Sequence, residues 1–142
     1  MPETAAIDEA VIDLLQQDLQ LQAVMPDGVF WGAGPPGATR LVVVTRLGQV
    51  DAPIFGGARA YEDVTYRIRA VALSTLPHAN ADARAAEARI EALLGGGTLT
   101  APGYTLMVAR RLEPIHDTEP DAVDPAILWQ VRGGDYQVMM SP

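Results

Sequence analysis

Cysteine is absent from this sequence, which excludes disulfides, thiolate nucleophiles and zinc–thiolate sites together. Redox grounds therefore leave the compartment open, with a reducing cytosol the default. Lysine is absent as well, so all ten basic residues are arginines. Two readings fit: a GC-rich coding bias, which the many alanines, glycines and prolines share, or arginines selected for bidentate interface pairs. Apolar runs are short, and Leu41-Val42-Val43-Val44 is far below the length that spans a bilayer. The start, Met1-Pro2-Glu3-Thr4, is acidic and leads straight into an amphipathic pattern, against a secretory signal. Positive charge is also scarce: the net charge is −8 and the pI near 4.5. Nonspecific affinity for DNA or RNA is not expected from such a balance.

What is present suits one globular domain over residues 1–142, long enough to bury about two thirds of its unfolded surface. The clearest pattern is Tyr61 to Leu73. One parity carries Val64, Tyr66, Ile68, Ala70 and Ala72; the other carries Asp63, Thr65, Arg67 and Arg69 before turning apolar at Val71 and Leu73. A period of two predicts a strand with one buried face and one wet or partner-facing face. Leu76-Pro77-His78-Ala79-Asn80 makes a turn, with Asn80 or Asp82 as helix cap. The helix that follows lines up Ala83, Ala86, Ile90, Leu93 and Leu94 on one stripe, and Gly95-Gly96-Gly97 stops it.

Around this centre, Ile7, Val11, Leu14, Leu15 and Leu19 recur at helical spacing behind a Thr4 cap, predicting an N-terminal helix within 1–24. Val29-Phe30-Trp31 reads as a short strand, the Gly32–Gly37 stretch as a proline-stiffened loop, and Arg40 to Arg46 as a strand covered on both faces. Residues 47–60 and 113–125 read as projecting loops, the second acidic and containing Pro114, Pro120 and Pro125. Thr98–Thr100 and Tyr104–Leu112 predict one or two strands. Ile127–Arg132 and Tyr136–Met140 alternate on either side of Gly133-Gly134, read as a bulge in one bent strand. The fold class is α+β: a mostly antiparallel twisted sheet with two helices on one face, in the order α-β-β-β-α-β-β.

No group of residues carries an obvious reaction. His116 and Asp117 are adjacent on an extended segment, so they point to opposite faces and form no dyad. His78 sits in a turn, and Ser74 and Ser141, the only serines, lack a nucleophile-elbow setting. Asp117, Glu119, Asp121 and Asp124 invite a calcium reading, but Pro120 and Pro125 interrupt them and no glycine makes the turn. The Gly32–Gly37 loop opens no helix, and its two prolines remove donors a phosphate cradle needs. The expectation is a protein without enzymatic activity, catalytic residues, metal or cofactor.

Three features occur together: the N-terminal helix; the Asp63–Leu73 strand running into the Asn80–Leu94 helix with its glycine stop; and the closing strand Arg132-Gly133-Gly134-Asp135-Tyr136-Gln137-Val138. In order and length, from Ile7 to Met140, the chain resembles the tail terminator or tail-completion proteins of long-tailed bacteriophages and gene transfer agents. Its stretch 113–125 departs from the shorter turn such proteins have there. The resemblance implies a subunit of a homohexameric ring that caps the tail tube, ends its polymerisation and joins tail to head. Partners would be further copies of itself, the tail tube protein and a head–tail connector or stopper. DNA would pass through the ring only as cargo, and no membrane is involved. The location would be the tail neck of a virion assembled in the bacterial host cytoplasm. Arg67, Arg69 and Arg132 are then expected at the subunit interface. Gln49, Asp51, Phe55, Arg59, Asp117, Glu119 and Asp121 are expected on partner-facing loops. The rival readings are a head–tail stopper or other minor tail protein, and a small cytosolic binding or regulatory domain that dimerises through its sheet.

Overall fold

Alternation in the middle of the chain becomes the central strand of a five-stranded sheet. The computed structural model describes residues 4–53 and 59–142, with side chains at 5–49 and 61–142. Its elements are α1 (Thr4–Gln16), α2 (Leu19–Val24), β1 (Val29–Trp31), β2 (Arg40–Pro53), β3 (Arg59–Leu73), α3 (Ala79–Gly95), β4 (Thr105–Pro120) and β5 (Leu128–Ser141). The sheet order is β1-β2-β3-β5-β4, with β1 parallel to β2 and every other pairing antiparallel. The α+β class and the element order are as expected from sequence. Among the described residues no helix is long and apolar enough to cross a membrane.

Val64, Tyr66, Ile68, Ala70 and Ala72 of β3 are all buried, joined by Val42 and Val44 of β2 and by Tyr136, Val138 and Met140 of β5. Ala83, Ala86, Ile90 and Leu94 of α3 and Ile7, Val11 and Leu15 of α1 close over them in one core. Burying that many large side chains, at about 1.5–3 kcal/mol each, is the dominant favourable term.

The N-terminal helix is broken, where the sequence pattern suggested one continuous run. Asp18 begins α2 afresh, accepting the Leu21 N–H at 2.9 Å, while Arg89 of α3 donates to both its oxygens at 2.8 and 2.7 Å. The Arg89 guanidinium holds the Asp18 carboxyl below its ordinary range, despite the opposing effect of burial. The break re-phases the chain: Leu19, in step with Leu15 on a straight helix, is 77% exposed, and Leu21 and Met25 are buried instead.

Further corrections concern loops and caps. Residues 47–53 and 59–60 extend the β2–β3 hairpin, and 113–120 belong to β4; a turn occupies only the residues after Pro120. Edge position explains how β4 tolerates Pro114 and Pro120, because a missing N–H costs nothing where no neighbour accepts it. Thr98–Thr100 is not a strand. Neither Asn80 nor Asp82 caps α3; His78 precedes it in a left-handed conformation (φ 62°), and Asp82 pairs with Arg40 at 3.3 Å. The glycine stop holds, with Gly97 in the left-handed region (φ 74°).

β5 runs unbroken through Gly133-Gly134, and the bulges lie on its partner β4, between Leu106 and Val108 and between Arg111 and Glu113. Gly133 has a different reason to be glycine: a Cβ there would stand 1.9 Å from the Ile68 carbonyl oxygen of β3. Two strands approach too closely at this point for any side chain.

A polar node ties α1 to the sheet. Asp8 accepts from the Tyr66 hydroxyl at 2.5 Å and is ion-paired to Arg46. Burial, then the Asp8 carboxylate, pushes the Tyr66 hydroxyl far above its ordinary pKa. Burial likewise raises Tyr136, from 10.0 to about 12.

Two outcomes follow. Gly133→Ala should cost about 2 kcal/mol, because backbone must yield to make room, read as a lower urea midpoint with unchanged far-UV spectrum. Both tyrosines ionise near pH 10 when unfolded and later when folded, so their contribution is intact below pH 10 and is lost as pH rises above it. Tyr136→Phe should therefore flatten the loss of stability measured between about pH 10 and 12. An equal slope in wild type and variant would contradict the assignment.

Candidate assembly surface

Helices cover one face of the sheet and leave the other bare, so the second face is where the chain can meet something else. Strand parity decides which residues stand on it. From β3 these are Asp63, Thr65, Arg67, Arg69 and Val71; from β5, Val131, Gly133, Asp135 and Gln137; from β4, Arg110, Glu113, Ile115, Asp117 and Glu119.

The charged residues on this face are engaged with one another. Arg67 lies opposite Asp135 and donates to its two oxygens at 2.9 and 3.2 Å. Arg69 reaches diagonally across β5 to Glu119 at 3.7 Å. Arg110 donates to Gln137 at 2.9 Å, and Gln137 donates to Asp63 at 2.8 Å, linking β4, β5 and β3. Arg132 has the opposite parity and turns to the helices, where it and Arg111 share the Glu87 carboxylate of α3 at 3.4 and 2.8 Å. The structure therefore separates the three arginines grouped from sequence and gives each a carboxylate of its own chain. Those carboxylates, Asp135, Glu119 and Glu87, were the residues sequence reading did not connect. Parity gave the face of Arg67 and Arg69 but not that of Arg132, and no partner up to 68 residues away.

The residues expected on partner-facing loops divide. Gln49, Asp51 and Arg59 lie in strands of the long hairpin, and Phe55 lies outside the described residues. Asp117 and Glu119 stand on the bare face of β4. Asp121 shapes the turn beyond it, accepting from the N–H groups of Val123 and Asp124 and from the Trp129 indole. The Asp124 N–H, the Trp129 indole and the Val123 N–H, in that order, hold its carboxyl below the ordinary range.

At one end of this face, the Gly34–Ala38 loop and the turn after β4 flank a groove of about 410 Å3. Leu41, Val43, Val71, Val131 and Trp129 line it, with Arg69 and Glu119 alongside. Gly34 lets the loop close down on Leu41: a Cβ there would meet its Cδ1 at 2.1 Å. The groove brings no nucleophile to a base. His116 pairs in register with Arg132 on the helix side while Asp117 points the other way. Among the described residues no three His, Cys, Asp or Glu side chains gather as a metal site. The arrangement can bind and align; it presents no reactive pair.

No family model matches the sequence, and no curated protein matches it. Among solved structures, a chain in the "Virion of native gene transfer agent (GTA) particle" shares the fold with a TM-score of 0.72. The correspondence covers 98% of this chain and 97% of that one, at 23% sequence identity.

A double-mutant cycle on Arg67→Ala and Asp135→Ala should give a coupling below about 1 kcal/mol, as solvent-exposed pairs do. Arg132→Ala should cost more, about 2 kcal/mol, because its side chain is only 14% exposed and shares Glu87 with Arg111. Chemical denaturation of the single and double variants measures both.

Proposed function

We propose that this chain is a structural subunit of a phage-like particle, a tail terminator that assembles into a ring on the end of the tail tube. There it ends tube polymerisation and offers the head connector a docking surface. The end-to-end likeness to a chain of a gene transfer agent virion carries this reading. The physical properties support it. The core is satisfied within one chain, and the bare sheet face and two long hairpins have the form of surfaces built to meet neighbours. The groove and strands show no reactive constellation. The net charge of −8 suits a ring through which DNA must slide, since a basic channel would retain the phosphate backbone. Arg67 and Arg69, engaged within the chain, hold the shape of the bare face rather than reach across an interface, and Arg132 is tied to α3 on the other side. Asp117, on the bare face of β4, faces the neighbouring proteins.

Light scattering at several concentrations tests the ring: the expected mass is six times the 15.1 kDa protomer. Added to polymerising tail tube protein, the chain should arrest growth and be seen at the tube end by electron microscopy. A stopper would instead bind on the head side and leave tube length unchanged. A dimer at every concentration, indifferent to tubes, would favour a cytosolic binding domain.

A further inference from the structure

The two free edges of the sheet share an unusual detail. Strand β2 has a β1 partner from Val42 to Val44 and Asp27 against Arg40, so among the described residues that edge is uncovered beyond Val44. Strand β4, at the opposite end of the sheet order, is paired on one side only. Registers slip at three places whose side chains are described: between Arg46 and Gly48 on β2, and between Leu106 and Val108 and between Arg111 and Glu113 on β4. The extra residue is a large apolar one each time. Leu47, Met107 and Leu112 are 47%, 49% and 47% exposed. Trp31, at the end of β1, adds a half-exposed indole to the first edge. Bulges disrupt edge-to-edge backbone pairing and re-aim side chains, so these edges offer apolar knobs in place of an open ladder.

Charge differs between the edges. Residues 28–53, along the first edge, contain Arg40 and Arg46 against the single acid Asp51. Residues 105–125, along the second, contain Glu113, Asp117, Glu119, Asp121 and Asp124 against Arg110 and Arg111. Arg40 and Arg46 keep 30% and 31% of their side chains exposed while paired to helix carboxylates. Three strand spacings from β2 and four from β1, about 14 to 19 Å, separate the edges, so one chain cannot satisfy both by itself. A two-fold dimer would cover one edge twice and leave the other bare; a head-to-tail contact covers both in every copy.

We propose that these edges are the two halves of one heterologous contact between copies of this chain. Trp31 and Leu47 of one copy pack against Met107 and Leu112 of the next, and the arginine-bearing edge meets the acidic one. The proposal deepens the ring reading by naming its interface, and it rests on that reading only for closure at six.

The cysteine-free background permits a direct test in the full chain. Leu47→Cys, Leu112→Cys and the double variant are made, with Met107→Cys as a second choice on β4, and treated with oxidant and with a short bis-maleimide. Substitution at half-exposed positions leaves the core untouched. The expected result is a cross-linked ladder from the double variant and cross-linked dimers from a mixture of the two single variants, with neither single variant cross-linking alone. Dimers from a single variant alone would show an isologous edge and overturn the proposal. A hexamer by mass without cross-links would overturn this interface and leave the proposed function standing. A ladder running past a closed ring would uphold the contact and remove the ring. A monomer without cross-links at any concentration would overturn both.

Discussion

One-sided burial of β3 is the constraint on which the rest of the structure depends. With Val64, Tyr66, Ile68, Ala70 and Ala72 all dry on one face, helices must lie on that side and on no other. A slip of one residue would carry Arg67 and Arg69 into the core, so the register with β2 and β5 is strongly specified. Gly133 then follows: β5 approaches β3 so closely at Ile68 that the chain has no room for a side chain. Strands β3 and β5 meet from opposite sides of α3 in sequence, so the sheet closes only through distant contacts. Such topologies fold slowly, since loop entropy is lost before the pairing rewards it.

Much of this architecture was legible because burial imposes period. Parity in β3 and the Ala83–Leu94 stripe each name a buried face without reference to any partner, and both faces are where the pattern put them. Legibility failed where pairing, and not burial, makes the element. No residue of β4 is buried, so its 113–120 segment offers no alternation, and its prolines and acids read as loop. The distal half of β2 fails similarly, with Gly48 and a register shift interrupting its pattern. The break at Asp18 was hidden because Leu19 continues the heptad-like spacing while the actual phase moves to Leu21. Of the candidate assembly surface, the face of Arg67 and Arg69 was readable, while the opposite face of Arg132 and the partners of all three were not. Asp135 and Glu87 become neighbours of Arg67 and Arg132 only after long-range folding.

Arginine without lysine has a structural counterpart here. Arg40, Arg46, Arg67, Arg69, Arg89, Arg111 and Arg132 each hold a carboxylate of their own chain, several through the planar two-pronged geometry lysine cannot supply. Five of these pairs fasten helices to other elements: Arg46 to α1 through Asp8, Arg40 to α3 through Asp82, Arg89 to α2 through Asp18, and Arg111 and Arg132 to α3 through Glu87. Cations thus serve mainly as internal ties, and the uncompensated charge left at the surface is carboxylate.

β4 is paired with β5 alone and has no fully buried side chain; its other ties include Arg111 to Glu87 of α3 and Glu119 to Arg69 of β3. In an antiparallel ladder, alternate N–H groups of an edge strand point away from the sheet and belong to solvent. The remaining four strands, the helices and their connecting segments carry every buried core residue, and β4 adds only the partly buried Leu106 and Ala109. Amide exchange should therefore divide this molecule in two, with β4 opening at low free energy and β3 only on global unfolding. The strand that borders the outside world is also the one whose ordering a neighbour can most strongly change.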